Sequence, residues 1–136
     1  MYFLDTNTCI YFLNGSSKSV KQKLLATPPN EISIPALVEA ELLFGAFKSR
    51  NRNDNLKKVE MFLKPFKTVS FDTEASYSYA DIRFRCEAKG APIGPNDLCI
   101  AAIVAAHDGV LVTDNTKEFS RITGLRTEDW AAARIL

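Results

Sequence analysis

With 136 residues, 46% of them hydrophobic and 24% charged, the chain has the make-up of an ordinary globular protein and can bury roughly two thirds of its unfolded surface without disulfides or a structural metal. Its net charge of +1 argues against indiscriminate polyanion binding. No stretch reaches the length of a membrane span. Tyr2-Phe3-Leu4 meets a charge at Asp5 with no positive region before it, so the reading is one domain over residues 1–136, cytoplasmic, with no signal peptide and no membrane contact.

The chain opens on a short apolar strand, Tyr2-Phe3-Leu4, that runs into Asp5-Thr6-Asn7, so a carboxylate stands at a strand's C-terminal tip. Cys9-Ile10-Tyr11-Phe12-Leu13 reads as a short helix stopped by Asn14-Gly15. Ser16 and Ser17 supply an N-cap for a helix over Lys18 to Ala26, which Pro28-Pro29 ends. Glu31-Ile32-Ser33-Ile34 is a compact strand, and Pro35 opens a helix that runs through Leu37, Val38, Leu42, Leu43 and Phe44 to about Lys48. A polar, basic loop follows, then an amphipathic helix from Leu56 to Leu63 with Pro65 ending it.

Thr68-Val69-Ser70-Phe71 alternates as a third strand, and Asp72 or Thr73 caps a long helix expected to turn Tyr77, Ala80, Phe84 and Ala88 to the core before Gly90. Gly94-Pro95-Asn96-Asp97 begins a helix that is apolar nearly all round from Leu98 to Ala106, so it must be buried. Val110-Leu111-Val112 is a continuous apolar strand of the kind covered on both faces. Thr113-Asp114-Asn115 stands at its tip, Lys117 to Arg121 is a helical turn, and Leu125-Arg126-Thr127 is a last edge strand before a stretch around Trp130. Alternating strands and helices imply an α/β fold with a parallel sheet and helices on both sides.

Cys9, Cys86 and Cys99 are widely spaced thiols in helical patterns, which fits buried or half-buried side chains in a reducing compartment rather than a zinc site. His107 is the only histidine; its place near a helix end suits the helix dipole, and nucleophilic triads have no support. Two basic sets stand out: Lys48, Arg50, Arg52, Lys57 and Lys58 against Asp54, and Arg83, Arg85 and Lys89. Beside an acidic site, such side chains would position nucleic-acid phosphates.

Three acids share one logic. Asp5 and Asp114 each end an apolar strand, so their carboxylates meet if those strands are neighbours. Asp97 lies in the first turn of the buried helix just before the Asp114 strand. Acids gathered in one crevice raise one another's pKa values and signal a bound cation. Glu39 and Glu41 flank the apolar stripe of the Pro35 helix on opposite sides, and helical angles do not choose between them.

LDTN at the N-terminus, EAELLFGA in the Pro35 helix, PIGPNDLCIAA at the buried helix, and LVTDNTKEF with LRTEDW near the end resemble the PIN-domain ribonucleases of the VapC type, the toxins of bacterial type II toxin–antitoxin pairs. The likeness spans essentially the whole chain. It implies a PIN-like three-layer α/β/α fold with a mostly parallel twisted sheet of about four to five strands. It also implies an acidic catalytic cluster of Asp5, Glu41 and Asp97, with Asp5 and Asp97 as the metal ligands, and so favours Glu41 over Glu39. Many PIN domains read Thr, any residue, Asp after the penultimate strand; here Asn115 takes that acid position, leaving Asp114, Asn115 and Glu118 as candidates for the fourth member, with Asp114 taken as the catalytic one. Thr6 and Asn7 beside Asp5, and Thr113 beside Asp114, are candidates for orienting the acids.

The expected activity is Mg2+-dependent endoribonuclease action, with Mn2+ as a substitute, since oxygen-only ligands suit these hard ions. Arg50, Arg52 and Arg85 are candidate phosphate contacts. The resemblance further implies a structured RNA target, initiator tRNA among the candidates, together with inhibition of translation, homodimerisation, and a VapB-like antitoxin with which a hetero-oligomer forms. Two rival readings are a haloacid-dehalogenase-like phosphatase, disfavoured because Asn7 stands where its second aspartate belongs, and a catalytically inactive PIN-like protein- or RNA-binding module.

Overall fold

The computed structural model describes residues 1–132; the last four residues of the expected domain, 133–136, lie outside the described residues. Five strands, β1 (Tyr2–Leu4), β2 (Ile32–Pro35), β3 (Lys67–Val69), β4 (Val110–Val112) and β5 (Arg126–Glu128), form one sheet in the order β3-β2-β1-β4-β5. Every pairing is parallel. The helices are α1 (Thr6–Asn14), α2 (Lys18–Ala26), α3 (Ala36–Phe47), α4 (Arg52–Leu63), α5 (Thr73–Ala88), α6 (Pro95–Ala106) and α7 (Thr116–Phe119), with a 3₁₀ turn at Pro29–Glu31.

The central strands are apolar because both of their faces are covered. Phe3, Leu4, Ile32, Ile34, Leu111 and Val112 are all buried, as parallel strands under helices on two sides must be. Tyr2 pairs with Ile32 on one side and Val110 on the other, and Leu4 with Val112. From β1 the chain winds outward through β2 to β3, then crosses back to β4 and β5. Parallel crossovers are right-handed, so reversing the winding direction puts α1 to α4 on one face and α5 to α7 on the other. The reversal point lies between β1 and β4, where an open α/β sheet offers its crevice.

Helix α6 is the best buried helix: Leu98 and the run Ile100 to Val104 are all in the core. Pro95 opens it at the favoured first turn, and His107 ends it with its ring against Phe3, 5.8 Å between centroids. Cys9 and Cys86 are buried and Cys99 half-buried, all as free thiols. Among the described residues no helix is long and apolar enough to cross a membrane.

One face and several boundaries differ from the sequence expectation, most of the latter by one to three residues. α5 packs along α6 through Ala75, Ile82 and Cys86, not through Tyr77 and Phe84, which are 73% and 74% exposed. The helix carries two stripes at the same spacing, and a close pair with the alanine-rich α6 takes the slimmer side chains. α4 begins at Arg52 rather than Leu56, because tertiary bonds hold its polar first turn: Asn55 Nδ2 donates to Ser49 Oγ at 2.8 Å, and Arg52 Nε to the Phe47 carbonyl at 2.8 Å. β3 ends at Val69, and Asp72 rather than Thr73 caps α5 by accepting the Ala75 N–H at 3.0 Å.

Two glycines separate close packing from open space. A Cβ on Gly109, just before β4, would lie 2.4 Å from the Phe3 ring and 3.2 Å from the Met1 carbonyl, whereas one on Gly45 in α3 would meet nothing within 4 Å. Gly109→Ala is therefore expected to destabilise the fold by about 1–3 kcal/mol through overpacking. Gly45→Ala is expected to stabilise it by about 0.5–1 kcal/mol through helix propensity. Urea denaturation of the two variants checks both signs.

Candidate active site

The crevice is built from the tip of β1. Asp5 follows Leu4 in extended conformation (φ −82°, ψ 173°) and becomes the N-cap of α1, its Oδ1 accepting the Thr8 N–H at 2.8 Å. Its own N–H donates to the Val112 carbonyl at 3.0 Å, and Thr8 Oγ1 donates to the same oxygen at 3.2 Å. The capping and site readings of Asp5 thus describe one geometry: a carboxylate 7% exposed, locked between the first strand, the first helix and β4. Burial raises its pKa, hydrogen bonds from Thr113 and Thr8 pull it down, and the nearby Asp114 charge adds a small upward push.

Asp97 enters from the first turn of α6, placed there by Gly94-Pro95. Its carboxyl is raised from 3.8 to about 6, first by burial, then by the charge of and a hydrogen bond with Glu118, then by the charges of Asp5 and Glu41. The charges of Glu118 from α7, Asp5 from the end of β1 and Glu41 from α3 therefore all reach Asp97. Glu118 is held below its usual value by the Gly94 N–H, 3.0 Å from its Oε1, and by Asn115 Nδ2, 2.9 Å from its Oε2. In the Asp97–Glu118 pair the proton sits on Asp97.

The alternatives left by the sequence separate here. Glu39 accepts a hydrogen bond from Thr68 at 3.0 Å and so belongs to β3, while Glu41 lines a groove with Gly45 on the same helix. Among the candidates for the fourth acid, Glu118 is the one that touches Asp97. Asn115 supplies no charge; its side chain holds Glu118, and its own N–H donates to Thr113 Oγ1 at 3.0 Å. Asp114 lies near Asp5 but accepts a hydrogen bond from the Tyr11 hydroxyl, which ties it to the flank. Thr113 is fully buried and hydrogen-bonds the Asp5 carboxyl, Asn7 is exposed, and Thr6 Oγ1 is the buried side-chain polar atom without a partner among the described residues.

The basic candidates divide as well. Arg85 is paired with Asp81 at 3.0 Å and reaches the Thr123 carbonyl, whereas Arg50 and Arg52 are exposed and in no ion pair among the described residues. Thr8 and Tyr11 were not singled out from the sequence. Thr8 carries a local signal, three residues after an aspartate N-cap; Tyr11 carries none, since its partner is 103 positions away.

Among the described residues no three acids, thiols or imidazoles stand close enough to enclose an ion by themselves. The donor set nevertheless fits a hard cation that keeps waters and takes only a few carboxylates. The orphaned Thr6 hydroxyl, beside Asp5, is a further oxygen facing no protein partner.

The PIN-domain family profile matches residues 2–125. The chain belongs to the PIN-domain family. It is 39% identical to Ribonuclease VapC2 of Rickettsia felis over 131 residues, covering 96% of this chain and 98% of the relative. It is 35% identical to the tRNA(fMet)-specific endonuclease VapC of Salmonella typhimurium over 129 residues, covering 95% and 97%. The DNA-bound VapBC structure from Salmonella typhimurium superposes with a TM-score of 0.89 at 35% identity, covering 95% of this chain and 97% of that one. PIN-domain nucleases generally use a divalent metal.

In the metal-free PIN domain, Asp97 binds its proton more tightly folded than unfolded. Its contribution to stability is therefore full below about pH 4 and lost as pH rises through about 6. Asp97→Asn removes that loss while keeping a donor for Glu118. Thermal melts in chelator should show the variant gaining on the wild type above pH 6 and the gain vanishing near pH 4.

Proposed function

We propose that residues 1–136 form one PIN domain that acts as a magnesium-dependent endoribonuclease, the toxin of a type II toxin–antitoxin pair. The observation that supports this reading is the raised proton affinity of Asp97, which feels the charges of Glu118, Asp5 and Glu41 near the point where the sheet reverses its winding. Carboxylates that raise one another's proton affinity are poised for a divalent cation, and the proton on Asp97 is the one an ion would displace.

Asp5 and Asp97 would hold the ion, with Glu118 beside them and Thr6, Thr8 and Thr113 fixing or extending the oxygen set. When bound, the ion supplies charge neutralisation at the scissile phosphate and lowers the pKa of a water. The chain's own part is positional. The Thr8 N–H and the Thr113 hydroxyl aim the Asp5 carboxylate and partly offset the upward pull of its burial. Asn115 and the Gly94 N–H hold Glu118 beside Asp97. Glu41, whose charge reaches Asp97, would orient the water that attacks the phosphorus.

The substrate proposed is a structured RNA, with initiator tRNA first among candidates because the Salmonella relative is named for tRNA(fMet). The solved Salmonella typhimurium and Rickettsia felis relatives are VapBC complexes, which supports a VapB-like antitoxin as partner and a hetero-oligomer with it; the free form proposed is a homodimer. The cytoplasm is the compartment this implies.

Purified, antitoxin-free protein should cleave total bacterial RNA with magnesium and not with chelator. Asp5→Ala should abolish cleavage, and Glu41→Gln should lower kcat by about 10²–10⁴-fold. Mapping the new 5′ ends identifies the target. Cleavage that survives chelation or Asp5→Ala, or none across several RNA pools from folded protein, overturns the reading.

A further inference from the structure

The corner between α3 and α4 stands outside the acidic residues, and among the described residues it pairs two exposed phenylalanines with cations that no carboxylate neutralises. Phe44 and Phe47, 64% and 50% exposed, each carry a cation over the ring: Lys48 Nζ lies 5.2 Å from the Phe44 centroid, and the Arg52 guanidinium carbon 5.1 Å from that of Phe47. From Lys48 to Lys64 the chain holds six cations against Asp54 and Glu60, in a protein whose net charge is +1. Among the described residues none of these cations joins an ion pair. Asn51 makes no side-chain capping bond to α4, so amide N–H groups at that helix start add to the positive field.

The corner is also preorganised. Ser49 Oγ donates to the Ala46 carbonyl at 2.7 Å and accepts from Asn55 at 2.8 Å, and Arg52 holds the Phe47 carbonyl. It neighbours one of the acids in sequence. Glu41 lies on the same helix, roughly 4.5 Å of axial rise before Phe44 and two turns before Lys48. A groove of about 370 Å3 between α3 and α4 is lined by Glu41, Gly45, Asn55 and Lys58 among others.

We propose that this corner is a base-stacking platform for an unpaired RNA strand flanking the cleaved bond, with bases on Phe44 and Phe47 and phosphates on the surrounding lysines and arginines. Aromatic faces interleaved with unpaired cations are what a sequence-tolerant single-strand site requires. The other exposed aromatic stripe, Tyr77 and Phe84 on α5, lacks that charge, since Arg83 and Arg85 beside it are neutralised by Glu87 and Asp81. Charge complementarity thus selects RNA for the α3–α4 corner over an apolar protein partner. The platform rests on the nuclease reading above for which strand it serves, but its binding is measurable without cleavage.

The test uses the metal-free protein and a fluorescein-labelled oligouridylate, followed by anisotropy, beside kinetics on the RNA that the wild type cleaves. Phe44→Leu with Phe47→Leu keeps apolar surface and removes both rings. It should raise Kd at least about tenfold and raise KM with kcat unchanged, while sedimentation and melting temperature stay as in the wild type. Phe44→Trp should bind as the wild type does, with indole fluorescence quenched on RNA addition. Unchanged Kd in the double leucine variant, no RNA binding by the wild type, or an altered oligomeric state with RNA affinity intact overturns the platform and makes the corner a protein interface. Ring-dependent binding without any cleavage would sink the nuclease reading and leave the platform standing; cleavage with ring-independent binding would do the reverse.

Discussion

A buried carboxylate that also caps a helix is the constraint on which the rest of this molecule hangs. Asp5 cannot leave its place without uncapping α1, freeing the Thr8 N–H and breaking the bond from its own N–H to Val112 at the tip of β4. Those bonds fix where β1 ends, how α1 departs, and which residues of β4 lie alongside. The adjoining strands then bring Thr113 beneath the carboxylate. A charge so deeply placed is tolerable only while donors compensate its lost hydration, and two threonines serve that need.

The remaining acids are arranged around that fixed point at a cost. Asp97 stays protonated to about pH 6 because burial and three neighbouring carboxylates oppose its ionisation. A carboxyl held this way weakens the fold as pH rises, and under the proposed function a bound cation would offset that cost. The device that makes it workable is the side chain of Asn115, which with the Gly94 N–H draws the charge onto Glu118 and leaves the proton on Asp97.

Much of this was legible from residue order. Strands buried on both faces are continuous apolar runs, so β1 and β4 could be placed within a residue, and the all-apolar α6 had to be interior. Asp5 and Asp97 were readable because each stands at an element boundary that the local sequence defines. What depended on tertiary contact was not readable. α5 offers two stripes of equal period, and only its partner α6 chooses between Tyr77 and Cys86. The differing partners of Glu118 and Asp114 could not be read from spacing, since the hydroxyl that Asp114 accepts from belongs to Tyr11, far away in sequence. The polar start of α4 looked like a loop because its helix is held by Ser49 and the Phe47 carbonyl rather than by propensity.

The claim that these carboxylates form one cation site is most directly tested by counting bound Mn2+ through the loss of its free electron-paramagnetic-resonance signal. Wild type should bind the ion stoichiometrically at neutral pH, Asp5→Asn should lose that binding, and Asp97→Asn should weaken it. Saturable binding that both substitutions leave untouched, or none at millimolar ion, would contradict the account.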